Sequence, residues 1–327
     1  MARVGIISGR EAFTSALIDA LNERRGIEAE WCQIPPARLG VECPYRVIID
    51  RLSHCFEYYQ PYLKQAALSG TYVINNPFWF LADDKYFNYA LAVRMGVAIP
   101  RTVLLPSKEY DDRVLNTEDL HNLEHPLDWE GILDYVGLPA ILKPYDGYGW
   151  REVHKIETAD QLMRVYNESQ MDVMMLQEFI HYEHYVRCFV IGGEWVLPIR
   201  YDPEARRYIP DHQHLSAELG MRIVHDCQNL CRTLGYDINT VEFAIRDGVP
   251  YAIDFMNPVP DAKPEVITPH YFRWVVSRVC DLVEDRLERG ATTPFRMASE
   301  MPHLPPAPEL LPPVAESYTR RRFAVLG

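Results

Sequence analysis

Two acidic residues lie inside an otherwise apolar pair of predicted strands in the last third of the chain. The pattern predicts strands over 240–245 and 251–255, joined by a turn that contains Asp-Gly. This hairpin brings Glu242 and Asp254 onto neighbouring strands, where two like charges are unfavourable without a cation. Mg²⁺ prefers oxygen ligands, and Asn257 follows the second strand closely. The pattern therefore predicts a magnesium site, and an acid pair that faces solvent is the alternative.

A lysine near the end of another predicted strand is followed by a glycine-rich loop. The strand over 139–144 places Lys143 where α/β proteins bind their ligands. Two glycines let the backbone of loop 146–151 approach phosphate oxygens and move. It is not a Walker loop, because no Gly-Lys-Ser/Thr sequence follows. A surface lysine and a plain hairpin turn are the alternatives. The candidate phosphate contacts in this segment are Lys143, Asp146, Gly147, Tyr148 and Gly149.

A third segment follows the predicted buried strand 174–177. A carboxylate after a strand can accept hydrogen bonds from ribose hydroxyls, and the adjoining backbone can bond an adenine edge. Two solvated loop acids are the alternative. The candidate nucleoside contacts are Gln177, Glu178, Phe179, Ile180 and Glu183.

The remaining pattern predicts an α/β chain that begins with a small open sheet. A strand, a glycine turn and a helix open the chain, which is how an open α/β sheet begins. Four side chains at or just after strand ends in this part are candidate substrate contacts: Arg10, Arg51, Ser53 and His54. Ordinary surface residues are the alternative for each. The predicted strands are 4–7, 47–50, 72–75, 102–105, 185–191 and 195–199, the helices are 12–23, 83–95, 159–168, 221–234 and 272–287, and 107–130 is predicted to be a loop-rich insertion.

Composition narrows the classes of function. A length of 327 residues suggests two or three domains. A net charge of -13 argues against a general nucleic-acid binder, which needs clustered Lys and Arg. Seven cysteines, an odd number, fit a reduced cytoplasm better than a disulfide framework. The first apolar run is too short for a signal peptide, and no stretch approaches a transmembrane span, so we expect no membrane partner.

Taken together, these motifs resemble the ATP-grasp superfamily, which includes D-alanine–D-alanine ligase, glutathione synthetase and the RimK-like glutamate ligases. The resemblance runs from about 75 to about 287 and implies an ATP-grasp fold with α+β subdomains, preceded by the small α/β domain. Lys85 resembles the first ATP-binding lysine of that family and Lys143 the second. Three features depart from the family pattern, and one of them is that the proline-rich segment 258–261 replaces the commoner glycine ending. Asp254-x-x-Asn257 is longer than the usual spacing, and Tyr185 replaces the acid that commonly stands two residues before Arg187.

The resemblance implies four segments, namely an N-terminal domain 1–80, a central subdomain 81–180, a C-terminal subdomain 181–300 and a proline-rich tail 301–327. It implies an ADP-forming carboxylate–amine ligase that uses ATP and Mg²⁺ and acts through an acyl phosphate. Arg187 or Arg200 would stabilise the transferring phosphoryl group. The expected partners are a small carboxylate and an amine, and a homodimer is the commonest assembly of soluble chains. A phosphotransferase and a catalytically silent nucleotide-binding scaffold are the alternatives.

Overall fold

A computed structural model describes residues 1–39, 41–111, 121–147, 149–211 and 213–294. Tyr148, part of the predicted insertion and the whole predicted tail lie outside the described residues. Within the described ranges, no helix is both long enough and apolar enough to cross a bilayer. All seven cysteines are free thiols, and Cys227 and Cys231 are buried in the core.

The described chain contains both helices and strands, in single elements and in runs of strands. The helices are α1 (Ala12–Asn22), α2 (Tyr59–Leu68), α3 (Lys85–Arg94), α4 (Trp129–Val136), α5 (Ala159–Glu168), α6 (Ala217–Leu234) and α7 (Pro264–Glu288). The strands are β1 (Ala2–Ile7), β2 (Ile27–Trp31), β3 (Val47–Asp50), β4 (Tyr72–Ile74), β5 (Thr102–Leu105), β6 (Ala140–Pro144), β7 (His154–Ile156), β8 (Met174–Glu178), β9 (His184–Ile191), β10 (Trp195–Asp202), β11 (Arg207–Ile209), β12 (Ile238–Arg246) and β13 (Val249–Asp254).

The first sheet is parallel and has the strand order β2-β1-β3-β4. This confirms the predicted open sheet, with one strand that the sequence pattern missed. Strand β2 alternates buried and exposed residues because it lies at an edge of the sheet, and Glu28 interrupts its apolar pattern. A strand of this kind lacks the continuous apolar run that marks the buried strands.

The second sheet is antiparallel, with the strand order β5-β8-β6-β7. Helices α4 and α5 and this sheet share one apolar cluster. The prediction of a loop over 107–130 is wrong at its end, because α4 begins at Trp129. Trp129, Ile132, Leu133 and Val136 recur at helical spacing, and all four belong to that cluster or pack against it.

The third sheet has the order β11-β10-β9-β12-β13 and contains both predicted hairpins. Alternate residues of β9 face opposite sides. Val186 and Val190 pack with α6, whereas Tyr185 and Phe189 belong to the cluster that includes α7. Arg187 therefore lies on the α7 side of the sheet, directly opposite Glu242 of β12.

Helix α7, near the C-terminal end of the described residues, packs against helix α1 near the N-terminal end. It begins at Pro264 rather than at the predicted 272 and contains a kink at Thr268, whose φ is 68°. Its apolar face and that of α1 belong to one cluster. On the surface, Arg24, just after the end of α1, pairs with Glu284 at 2.6 Å. The N-terminal sheet is therefore packed directly against the C-terminal part of the chain.

A buried amide makes a polar contact between the same two parts. The Oδ1 of Asn75 accepts hydrogen bonds from the backbone N–H groups of Asp237 at 2.7 Å and Ile238 at 2.9 Å. Its Nδ2 donates to the carbonyl oxygens of Ile238 at 2.8 Å and Pro258 at 3.2 Å. One side chain thus satisfies backbone groups at the start of β12 and in the loop that follows β13.

We expect Asn75→Ala to lower the free energy of unfolding by about 2 to 4 kcal/mol, because two buried N–H donors lose their acceptor. Chemical unfolding followed by circular dichroism measures this change. Asn167→Ala, at an exposed position of α5, is the matched control and should change stability by less than about 0.5 kcal/mol. Equal stability of the two variants would contradict the role given to Asn75.

Candidate active site

The predicted site residues converge on one cavity of about 950 Å³ between the second and third sheets. Its walls come from the start of α3, from β6 to β10, from β12 and β13, and from the loops that join them. Most of the residues singled out from the sequence line it: Lys85, Lys143, Gly147, Gly149, Gln177, Glu178, Phe179, Ile180, Arg187, Glu242, Asp254 and Asn257.

Lys143 is buried at the end of β6 and is held by three uncharged acceptors. Its Nζ lies 2.9 Å from Gln177 Oε1, 2.9 Å from the hydroxyl of Tyr89 and 3.2 Å from the carbonyl oxygen of Ile253. Burial lowers the pKa of Lys143, and the nearby carboxylates of the site only partly oppose this effect. The ammonium group is therefore fixed in place without a carboxylate in direct contact.

Lys85 is the first residue of α3, whose start is fixed by a side-chain cap. The carboxylate of Asp84 accepts a hydrogen bond from the backbone N–H of Phe87 at 2.7 Å. The Nζ of Lys85 then lies 2.9 Å from Asp254 Oδ2. Burial raises the pKa of Asp254, but the ammonium groups of Lys85 and Lys143 outweigh it and hold that pKa below its ordinary value.

Glu242 has a separate pair of partners. Tyr185 donates a hydrogen bond from its hydroxyl to Oε2, and Arg187 Nε lies 3.2 Å from Oε1. The guanidinium of Arg187 also lies 5.4 Å from the ring centre of Tyr201 and 6.0 Å from that of Tyr208. Burial lowers the pKa of Arg187, but the charge of Glu242 outweighs burial and raises it above the ordinary arginine value. Arg187 therefore keeps its charge.

A β-bulge places the two acids face to face. Arg246 pairs with Val249 next to the two-residue turn, and the regular register continues as far as Phe243 and Ala252. At the next position the register shifts, so that Glu242 pairs with Asp254 instead of Ile253. Residues directly opposite each other in an antiparallel pair lie on the same face. The extra residue in β13 therefore turns Asp254 toward the same cavity as Glu242.

The side-chain oxygens of Glu242, Asp254 and Asn257 suit a magnesium–nucleotide complex. The side chain of Asn257 lines the same wall, and its Nδ2 lies 3.4 Å from the carbonyl oxygen of Thr240. In the described part of the chain, no three His, Cys, Asp or Glu side chains form a metal-binding group by themselves. Mg²⁺ is commonly held by one or two carboxylates plus phosphate oxygens, so two acids and an amide opposite two lysines suit it.

The predicted nucleoside segment 177–180 lines the cavity, but the side chain of Glu178 is already engaged. Its carboxylate lies 3.1 Å from Arg101 Nε and 2.9 Å from Arg246 NH1. Burial raises the pKa of Glu178, but the hydrogen bonds from both arginines outweigh it and lower that pKa. The ring of Phe179 lies 4.7 Å from Lys155 Nζ. The segment therefore offers backbone and an aromatic ring to a ligand.

Four described residues of the glycine-rich loop line the cavity: Gly147, Gly149, Trp150 and Arg151. Gly149 and Trp150 have φ values of 65° and 64°, a backbone conformation that is costly for tryptophan. The guanidinium of Arg206, in the turn between β10 and β11, lies 5.3 Å from the ring centre of Trp150. Asp146 is exposed, 3.9 Å from Arg151. The loop and the turn thus meet across the cavity.

Two predicted site residues, Glu183 just before β9 and Arg200 in β10, do not line the cavity. Glu183 is exposed, and its Oε1 accepts a hydrogen bond from the backbone N–H of Asp247 at 3.3 Å. Arg200 pairs with Asp211 at 2.9 Å. Their assignments to ribose and to the phosphoryl group stay predictions from the sequence.

The four predicted substrate contacts in the N-terminal sheet do not line the cavity either. Arg51 pairs with Glu11 at 2.5 Å and donates to the carbonyl oxygen of Pro260 at 3.2 Å. Ser53 donates a hydrogen bond from its hydroxyl to Asp50. Arg10 is exposed, and burial lowers the pKa of His54. Through its contact with Pro260, Arg51 reaches the loop that follows Asn257.

Sequence reasoning missed several residues that hold the site together. Tyr89 accepts a hydrogen bond from Lys143 and donates one to Ile253, and it lies one helical turn after Lys85. That spacing is the only signal that placed it on the cavity side of α3. Arg101, Arg246 and Arg206 gave no signal, because their partners are distant in the sequence.

Comparison with solved structures finds this architecture in several proteins of low sequence identity. A RimK-domain ATP-grasp protein from Sphaerobacter thermophilus has a TM-score of 0.61 at 18% identity, over 86% of this chain and 100% of that chain. A D-alanine–D-alanine ligase from Bacillus anthracis in complex with ATP has a TM-score of 0.58 at 17% identity, over 89% of this chain and 99% of that chain. The ATP-grasp ligase PsnB, in complex with a phosphomimetic variant of a minimal precursor, Mg and ADP, has a TM-score of 0.60 at 16% identity, over 88% of this chain and 99% of that chain.

No protein-family model and no curated protein matches the sequence. At such identities the structural likeness establishes the fold. This chain therefore has the ATP-grasp fold that its motifs predicted, and the matched region includes most of the chain.

We expect Glu178→Gln to lower the free energy of unfolding at pH 7 by about 1 to 2 kcal/mol, because the two arginines lose a charged partner. The pKa of Glu178 is lower in the folded than in the unfolded chain, so its stabilisation is complete above the ordinary value of about 4.5. The stabilisation is lost as the pH falls through the lowered folded pKa. The difference between wild type and variant should therefore shrink below about pH 4.5.

Urea unfolding between pH 7 and pH 3 measures this difference. Glu109→Gln, at an exposed position, is the matched control and should track the wild type. A constant difference between wild type and Glu178→Gln over the whole range would contradict the ion pairs.

Proposed function

We propose that this chain, which has the ATP-grasp fold, is an ATP-dependent carboxylate–amine ligase that forms ADP and acts through an acyl phosphate. One observation carries the proposal: Lys85 and Lys143 converge with the facing carboxylates Glu242 and Asp254 on a single cavity. Cations for phosphates and oxygen ligands for magnesium are two recurring parts of sites that transfer a phosphoryl group from ATP.

The nucleotide is assigned to this cavity with its base along segment 177–180. Lys85 and Lys143 then hold the phosphates, and the backbone of loop 146–151 covers them. Glu242, Asp254 and Asn257 would hold Mg²⁺. When bound, the ion would neutralise charge on the β- and γ-phosphate oxygens. The likeness to known ligases concerns the fold, and the roles of these residues are proposed from their positions in the cavity.

A carboxylate reacts poorly with an amine, and conversion to an acyl phosphate overcomes this. A substrate carboxylate oxygen attacks the γ-phosphorus, the bond to the β,γ-bridging oxygen breaks, and ADP leaves. The amine nitrogen then attacks the carbonyl carbon of the acyl phosphate, phosphate leaves, and the nitrogen loses a proton. The protein positions the reactants and stabilises charge, which is the task of Lys143 and Arg187. Closure of the glycine-rich loop excludes water, which otherwise hydrolyses the acyl phosphate.

The first test is release of ADP and free phosphate from Mg-ATP with pools of amino acids and small carboxylates, each with and without pooled amines. Release that requires both pools supports ligation. ADP without free phosphate supports a phosphotransferase at the same site. Binding of ATP without turnover in any pool supports a nucleotide-binding scaffold. ADP without free phosphate contradicts the ligase, whereas binding without turnover is also the result expected of a ligase whose substrate is absent from the pools.

We expect Lys143→Ala to lower turnover about a hundredfold or more, because a fixed charge-stabilising donor is lost. Steady-state ADP release measures the effect. Lys108→Ala, at an exposed position after the end of β5, is the matched control and should keep wild-type turnover. Near-normal turnover of a folded Lys143→Ala protein would remove Lys143 from the proposed site.

A further inference from the structure

Both carboxylates assigned to the metal are already paired with cations that line the same cavity. Lys85 Nζ lies 2.9 Å from Asp254 Oδ2, and Arg187 Nε lies 3.2 Å from Glu242 Oε1. Each cation is also a candidate ligand for phosphate. The structure therefore shows the cations and the carboxylates of the proposed site bound to each other.

We infer that Lys85 and Arg187 take the place of the metal in the nucleotide-free protein and are released to the phosphates when magnesium and nucleotide arrive together. This inference rests on the proposed function. Asp254 exchanges an ammonium group for a divalent cation, and Lys85 exchanges a carboxylate for a phosphate oxygen. Glu242 and Arg187 make the parallel exchange. No bond is made or broken in the protein, only ion pairs.

The exchange is explained by the electrostatic repulsion between the two carboxylates, which face each other. Glu242 and Asp254 are directly opposite each other on one face of the hairpin, where an unpaired pair of carboxylates would be strongly destabilising. Before the ligand binds, the charges of Glu242 and Asp254 are balanced by those of Arg187 and Lys85. After the ligand has bound, magnesium balances the charge of the two carboxylates, and the phosphates balance the charge of Lys85 and Arg187. The site is therefore paired in both states.

Lys143 provides an internal contrast. Its three close acceptors are the amide of Gln177, the hydroxyl of Tyr89 and a backbone carbonyl, all of them uncharged. Lys143 can therefore meet a phosphate without giving up a carboxylate. The two lysines differ in consequence: Lys143 is available to a nucleotide without metal, whereas Lys85 stays bound to Asp254 until the metal replaces it.

The exchange couples the metal and the nucleotide. Metal-free ADP has to compete with Asp254 for Lys85, so magnesium should raise the affinity for ADP by freeing the lysine as well as by its own charge. Because coupling between two ligands is reciprocal, ADP should raise the affinity for magnesium by the same factor.

The test is a double-mutant cycle on ADP binding, measured by isothermal titration with EDTA and again with MgCl₂. We expect Asp254→Asn to bind metal-free ADP roughly tenfold more tightly than wild type, because Lys85 becomes free to make a charge-assisted hydrogen bond. The same variant should lose most of the gain in affinity that magnesium gives the wild type.

The cycle is completed by Lys85→Met and by Lys85→Met with Asp254→Asn. In the Lys85→Met background, Asp254→Asn should change metal-free ADP affinity by less than about threefold, because no lysine is left to be freed. Asp226→Asn on α6 is the matched control, since that buried carboxylate pairs with Arg222 at 3.6 Å and does not line the cavity. Circular dichroism checks that each variant is folded.

The outcomes separate the inference from the function on which it rests. An equal gain with and without Lys85 would show simple relief of repulsion between Asp254 and the phosphates and would overturn the exchange. Unchanged metal-free affinity in Asp254→Asn would overturn it as well. A wild type that binds no ADP even with MgCl₂ would instead contradict the proposed nucleotide site.

Discussion

The close approach of two carboxylates on one face of a hairpin is the constraint on which the rest of the site depends. Glu242 and Asp254 are tolerated there because cations from two other elements reach them. Lys85 comes from the start of α3, and Arg187 comes from the neighbouring strand β9. Removal of either cation leaves a charge without its partner in a partly buried place, which costs far more than an exposed ion pair contributes. Charge balance therefore joins α3, β9 and the hairpin at the site, in addition to the strand pairing of β9 with β12.

A second level of organisation joins this charged centre to the N-terminal sheet. The amide of Asn75 satisfies backbone groups on either side of the hairpin of β12 and β13, and Arg51 reaches the carbonyl oxygen of Pro260 just beyond it. Helix α7 packs on α1 through a shared apolar cluster. The loop after Asn257 is therefore held between the hairpin and the N-terminal sheet. This arrangement gives Arg51 a structural contact with that loop, and its predicted contact with the substrate stays a prediction from the sequence.

Elements with strong periodicity were predictable, and weakly patterned ones were not. Helix α5 agrees with its predicted bounds, and the hairpin of β12 and β13 follows from the alternation around Asp247 and Gly248, whose φ values are 52° and 71°. The missed strands β2, β7 and β11 all lie at edges of their sheets. An edge strand is partly exposed and often short, so it carries little apolar pattern. The start of α7 was missed because Pro269 and the non-helical Thr268 interrupt the helical pattern.

The sequence by itself determined the parts of the site. The order of Lys85, Lys143, the glycine-rich loop, Glu242, Asp254 and Asn257 predicted an ATP-grasp fold, because chemistry of this kind depends on residue types and their succession. Only the tertiary structure decided which side chains meet. A regular ladder would pair Glu242 with Ile253, and a single extra residue in β13 pairs it with Asp254 instead. The ion pairs of Lys85 and Arg187 and the three acceptors of Lys143 join positions far apart in the chain. Such contacts depend on register and packing, which local sequence patterns do not encode.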